Sequence, residues 1–116
     1  TFKYGKPSLS SNTMTNNETI SVSVDITNTG NYDADEIAQM YIRDLAASVS
    51  RPVKELKGFE RISIKKGETK TVTFTITPED LKFYNQELEY KNEPGEFEVM
   101  VGPNSKDVQT LTFTLK

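Results

Sequence analysis

Ile20-Ser21-Val22-Ser23-Val24-Asp25-Ile26-Thr27 alternates a branched apolar residue with a polar one along its whole length. Successive side chains of an extended chain point to opposite faces, so this stretch puts Ile20, Val22, Val24 and Ile26 on one side of a strand. The pattern returns in Val72, Phe74 and Ile76 set against Thr71, Thr73, Thr75 and Thr77, in Phe97, Val99 and Val101, and in Leu111, Phe113 and Leu115. Ile37-Ala38-Gln39-Met40-Tyr41-Ile42 is apolar on both faces, as expected of a mid-sheet strand covered on both sides. Ile62 and Ile64 end a further strand, and a first one is expected from about Lys6 to Met14.

The punctuation agrees with about seven strands. Asn28-Thr29-Gly30-Asn31, Lys66-Gly67-Glu68, Pro94-Gly95 and Gly102-Pro103-Asn104 separate the alternating runs, where glycine supplies positive φ and proline cannot continue a ladder. The one helix signal is Thr77-Pro78-Glu79-Asp80-Leu81, with a capping threonine, a first-turn proline and two acids at the positive end of the dipole. It predicts a single turn. The fold class that follows is all-β, an immunoglobulin-like sandwich of two sheets. An eight-stranded barrel is the alternative, and the strand count falls short of it.

At 116 residues the chain makes a single domain, spanning residues 1–116, able to bury roughly two thirds of the surface its unfolded form exposes. Lys and Arg total 14 against 17 Asp and Glu, a net charge of -3 with the signs interspersed, which argues against nucleic acid as a partner. No apolar run approaches the roughly 20 residues of a membrane span, so no membrane partner is expected. There is also no signal-peptide pattern, and the opening Thr1 fits a piece of a longer protein whose targeting information lies elsewhere.

Chemistry is sparse. With no His and no Cys, serine triads, cysteine–histidine dyads and the usual zinc sites are excluded, and no cofactor or metal is called for. Asp and Glu are plentiful, but they fall on strand faces and in turns, with no apolar pocket to keep one protonated for glycoside hydrolysis. Asn31-Tyr32-Asp33-Ala34-Asp35-Glu36 begins like a calcium loop. Glu36 then stands where the sharp turn needs glycine and Ile42 where the bidentate acid belongs, so a solvated turn is the better reading. Asn17-Glu18-Thr19 is a glycosylation sequon, meaningful only in a eukaryotic host.

Tyr32, Tyr41, Tyr84 and Tyr90 are candidate sugar-stacking platforms. Tyr41 lies in the most apolar strand and is expected in the core, while Phe83-Tyr84 and Leu88-Glu89-Tyr90 flank a turn at Asn85-Gln86-Glu87 and read as a hairpin closing one end of the sandwich. Direct sugar binding is therefore the weaker reading. The stretch from Asp44 to Val53 is longer than most sandwich connections and carries Leu45, Val49 and Val53, which suggests a segment that packs against something. Arg51, just before Pro52, is held extended with its guanidinium available for a bidentate partner.

Three blocks then become informative together: RPVKELKGFERI (51–62), KKGETKTVTFTITPEDLKFYN (65–85) and EPGEFEVMVG (93–102). They resemble the fibronectin type III-like domain at the C-terminal end of family 3 glycoside hydrolases, particularly bacterial periplasmic β-glucosidases, and the resemblance covers nearly the whole chain. It implies a fibronectin type III-like sandwich excised from a larger enzyme that hydrolyses β-linked glucose or similar sugars with retention. It also implies a periplasmic or secreted location. In that family a barrel domain supplies the nucleophilic aspartate and an α/β domain the acid/base glutamate; no residue here matches either motif, so no catalytic role carries over. The partners implied are the catalytic domains of the same polypeptide. Leu45, Val49, Arg51, Pro52, Val53, Lys54, Glu55 and Lys57 are the expected docking residues. The rival is a stand-alone carbohydrate-binding or cell-surface adhesion module.

Overall fold

The computed structural model describes residues 1–45, 54–84 and 87–116. Strands run in the order β1 (Phe2–Tyr4), β2 (Ser8–Leu9), β3 (Thr13–Met14), β4 (Ile20–Asn28), β5 (Ala34–Asp44), β6 (Glu55–Ile64), β7 (Thr69–Ile76), β8 (Phe83–Tyr84), β9 (Tyr90–Lys91), β10 (Gly95–Gly102) and β11 (Gln109–Leu115). β4 lies between β7 on one side and β1 with β2 on the other, making a four-stranded sheet; β3-β11-β10-β5-β6 make the second. All pairings are antiparallel except β3 on β11. This is a β-sandwich.

The alternating residues do what the pattern requires. Ile20, Val22, Val24 and Ile26 meet Val72, Phe74 and Ile76 on one inner face, and Ala38, Met40, Ile42, Phe97, Val99, Val101, Phe113 and Leu115 supply the other. Phe97 and Phe113 are direct cross-strand partners, their rings stacked 5.5 Å apart. The turn at Pro78–Leu81 is 3-10 and buries Leu81. Thr77 is its N-cap, as expected, and Asp80 completes a capping box. Thr77 donates from both its N–H and its hydroxyl to Asp80 Oδ2, at 2.9 and 3.1 Å, so the acid satisfies the threonine.

The first strand departs from its expected single span. β1 pairs with the end of β4 and β2 with its middle, then the chain crosses so that β3 joins the other sheet. The break inside that span falls at Ser10-Ser11-Asn12, and Gly5-Lys6-Pro7, where buried Pro7 has no N–H to give a ladder, separates β2 from the additional strand β1. β8 and β9 form the expected hairpin, Phe83 opposite Lys91 and Tyr84 opposite Tyr90, although Asn85 and Gln86 of its turn lie outside the described residues. Asp44 is the last residue of β5 and is buried, which corrects the expectation of a loop beginning there.

Polar contacts help tie the sheets together. Asn28 is buried at the end of β4, donating to the carbonyls of Tyr32 and Ile64 and accepting the Gly30 N–H at 2.9 Å. Tyr4 on β1 donates its hydroxyl to Glu36 on β5 at 3.0 Å. Burial first, then the Glu36 charge and this hydrogen bond, push the Tyr4 hydroxyl above its ordinary pKa.

Phe74 is 7% exposed between the sheets, so Phe74→Ala should cost about 3–5 kcal/mol in urea unfolding, and a loss below about 1 kcal/mol would place Phe74 outside the core. Thr73→Ala, on the solvent side, should be nearly silent. Tyr4→Phe should cost about 1 kcal/mol near neutral pH. The folded protein holds the Tyr4 proton more tightly than the unfolded chain does. That contribution is complete below the unfolded value near 10 and is lost as pH rises through the folded one. The gap between parent and variant should therefore narrow above about pH 10, and a gap that stays constant would count against the clasp.

Candidate docking face

β5 corrects one sequence expectation. Ala38, Met40, Ile42 and Asp44 are buried, while Ile37, Gln39, Tyr41 and Arg43 point to the outer side of the five-stranded sheet. Tyr41 is half-buried on that outer side rather than in the core, bonded through its hydroxyl to Gln39 Oε1. The outward half of this strand is apolar without being covered, and Ile37 is 45% exposed.

The neighbouring edge strand completes the surface. Met40 pairs with Gly58 and Tyr41 with Leu56, so Lys57 is the extra residue of a β-bulge. The bulge resets the alternation and brings Leu56 and Phe59, three apart in sequence, to the same outer face; they are 52% and 67% exposed. Gly58 is needed at this spot. A Cβ there would sit 3.2 Å from Phe74 Cδ1 and 3.4 Å from Met40 Cε, so the missing side chain lets the Phe74 ring close under β6. In the next strand Met100, whose neighbours Val99 and Val101 enter the core, is buried on this outer side opposite Tyr41.

Of the eight residues expected to dock, the structure describes half. Val49, Arg51, Pro52 and Val53 lie outside the described residues. Leu45 follows β5, is 40% exposed, and donates its N–H to the Glu96 carbonyl. Lys54 donates to the Ser105 carbonyl with its ammonium 5.9 Å from the Tyr41 ring centroid, so its stem crosses the outer face. Glu55 and Lys57 belong to β6 itself and pair at 3.7 Å. Leu45 and Lys54 to Lys57 thus border the apolar surface. The reading of the sequence missed Leu56, Phe59 and Ile37, because strict alternation through 55–64 would have turned Leu56 inward.

The remaining polar clusters are occupied by their own neighbours. An open cleft of about 580 Å³ lies between the start of β5 and the β6–β7 turn. Within it Asp33 accepts the Lys66 N–H and Glu68 the Lys65 N–H, while Asp35 takes bonds from Ser63 and Arg61. Those two partners, Ser63 foremost, hold the Asp35 carboxyl below the usual carboxylate range, so it stays ionised and is a poor proton donor. Asn31 to Glu36 forms a turn running into β5, with Tyr32 exposed. Among the described residues no His, Cys, Asp or Glu cluster is placed to hold a metal, and no helix is long and apolar enough to cross a membrane.

Residues 36–105 match the fibronectin type III-like domain family. Among curated proteins, a β-xylosidase of Formosa agariphila is 49% identical over the whole chain, which spans 16% of that relative. A periplasmic β-glucosidase of Salmonella typhimurium is 48% identical over 99% of the chain, again 15% of its length. The chain thus spans about one sixth of the relatives it matches. Among solved structures, a β-glucosidase of Listeria innocua in complex with gluconolactone superposes on 99% of the chain with a TM-score of 0.88 and 41% identity, over 16% of that protein. A β-glucosidase of Erythrobacter marinus covers all of it with a TM-score of 0.91 at 35% identity.

Gly58→Ala tests how tightly the bulge closes on the core. It should cost about 1–3 kcal/mol in chemical denaturation, because Phe74 and Met40 must move to admit the methyl group. A neutral or stabilising result would mean that the space under β6 is looser than the distances indicate.

Proposed function

Since the chain belongs to the fibronectin type III-like domain family, we propose that it is the non-catalytic accessory domain of a family 3 β-glucosidase-like enzyme, bracing catalytic domains carried on the same polypeptide. The observation that carries this reading is coverage: nearly all of the chain aligns at 48–50% identity with only 15–16% of glycosidases that act on β-linked sugars by name. On this reading the parent enzyme releases terminal β-linked glucose or a similar sugar with retention, in the periplasm or outside the cell. Both catalytic carboxylates lie in the other domains. Among the described residues the acidic cleft is open and its carboxylates accept hydrogen bonds from their own neighbours, an arrangement unlike the apolar pocket that would raise a carboxyl pKa.

Leu45, Val49, Arg51, Pro52, Val53, Lys54, Glu55 and Lys57 are the proposed docking residues on this reading, and of these the described Leu45, Lys54, Glu55 and Lys57 border the apolar surface. Interfaces between domains of one chain typically bury about 600–1,500 Å². A sandwich that binds sugar in its own right has less support, since exposed Tyr32 lies beside Asn28 at the end of β4, whereas exposed Tyr90 is on β9, whose neighbour Asn92 bonds Asn16 and Pro78 near the start of β4.

The test is to compare the whole enzyme with a form lacking residues 1–116. Removal should lower the unfolding temperature of the catalytic domains by about 4 °C or more. Arg51→Ala should cost more stability in the whole enzyme than in the separated domain. Unchanged melting of the truncated enzyme, together with equal Arg51→Ala losses in both contexts, would overturn the bracing role.

A further inference from the structure

We infer, resting on the bracing role above, that the outer face of the five-stranded sheet at β5 and β6 is the surface seated on the catalytic part of the polypeptide. Ile37, Tyr41, Leu56 and Phe59 make the contact, with Leu45, Lys54, Glu55 and Lys57 at its border.

The two outer faces of the sandwich differ in kind. On the four-stranded sheet the exposed side is a hydroxyl ladder that satisfies itself: Ser23 with Thr73 at 3.0 Å, Thr27 with Thr69 at 2.7 Å, and Thr71 with Asp25 at 2.6 Å. That face is finished against water. The opposite face holds a row of apolar side chains in adjacent register, Leu56 beside Tyr41 and Phe59 beside Gln39, with Ile37 one step on. Exposed apolar side chains gathered in one patch mark contact sites, whereas scattered ones need no explanation.

The charges around the patch are already paired within the domain. Arg61 bonds Asp35 at 2.9 Å, Arg43 bonds Glu98, and Lys57 pairs with Glu55. Covering the patch therefore strands few lone charges, which is the main cost of burying a polar rim. The bulge at Lys57 breaks the regular edge of β6, so the partner packs on side chains and does not add a strand.

The occupant follows from tethering. The matched relatives carry this chain as about one sixth of a single polypeptide. A covalently attached neighbour acts at an effective concentration that a second free copy does not reach. Continuity with Leu45 and Lys54, at the junction of β5 and β6, places the patch and the docking border on one surface.

The experiment uses the full-length enzyme. The 116 residues contain no cysteine, so Phe59→Cys and, on the hydroxyl face, Thr75→Cys each introduce a single thiol into this domain. Alkylation is followed peptide by peptide by mass spectrometry, under native conditions and in urea. Both sites are exposed in the domain, and both should react alike once unfolded. In the folded enzyme Phe59→Cys should react at least about tenfold more slowly than Thr75→Cys, because its thiol becomes reachable only when the interface opens. Equal native rates would overturn the assignment of this face. Protection that fades on dilution, with a dimer in sedimentation, would overturn the tethered occupant in favour of a second copy. If truncation destabilises the catalytic domains while Phe59→Cys reacts freely, the brace stands and this face is not its seat; if truncation has no effect, the bracing role itself fails.

Discussion

β4 is the strand on which the rest of the molecule depends. β1, β2 and β7 all hydrogen-bond to it, so its register sets the whole four-stranded sheet. A slip of one residue would turn Ile20, Val22, Val24 and Ile26 to solvent and bring Ser21, Ser23 and Asp25 against Phe97 and Phe113. Asn28 guards against that slip. Its carboxamide is buried at the end of β4 with both N–H groups and its oxygen bonded, and one bond reaches Ile64 in the other sheet. A shift would leave those groups unsatisfied in a water-poor site, so the polar end and the apolar middle of one strand enforce the same register.

The parts that were legible in the sequence are those where local and tertiary demands coincide. Alternation named the core residues of β4, β7, β10 and β11, and Pro78 with its flanking acids named the single turn of helix. Where a neighbour changed the rule, reading the residues in order failed. The bulge at Lys57 depends on how β6 lies against β5, and nothing in KELKGFERI announces an extra residue; only Gly58 hints at close packing. Tyr41 was expected inside because its strand is apolar throughout. Yet in a sandwich of two sheets each strand has one face on the core, and the other face of β5 is turned outward. The break at Gly5-Lys6-Pro7 had a visible cause in proline, but the crossing of β3 to the second sheet follows from closing the sandwich.

The proposed bracing role needs a frame that does not yield under load, and the bonding at the start of the chain meets that need. Thr1 accepts at its carbonyl from the Thr29 N–H and hydroxyl, Gly5 donates its N–H to the Asp25 carbonyl at 2.7 Å, and the Gly5 carbonyl takes the Gln109 side chain at 2.6 Å. The last of these joins the two sheets, as the Tyr4 to Glu36 bond does two strands away. Segments held this way open only when the surrounding sheet opens, so β1 behaves as part of the rigid body and not as a flexible tether.

The asymmetry between the outer faces then acquires a physical reason. A domain that stood alone in water would gain by finishing both faces as the threonine face is finished, since each exposed Leu or Phe forgoes about 1.5–3 kcal/mol of burial. Leu56 and Phe59 are held outward by a bulge that itself breaks the ladder, and Gly58 gives up a side chain so that this arrangement can close over Phe74. Leu56 and Phe59, turned outward, take no part in the core cluster. The arrangement makes sense when the exposed row is covered in the assembled protein and its transfer out of water is recovered there. On that argument the stability of this sandwich and the stability of its attachment are two parts of one packing problem, with β6 as the strand they share.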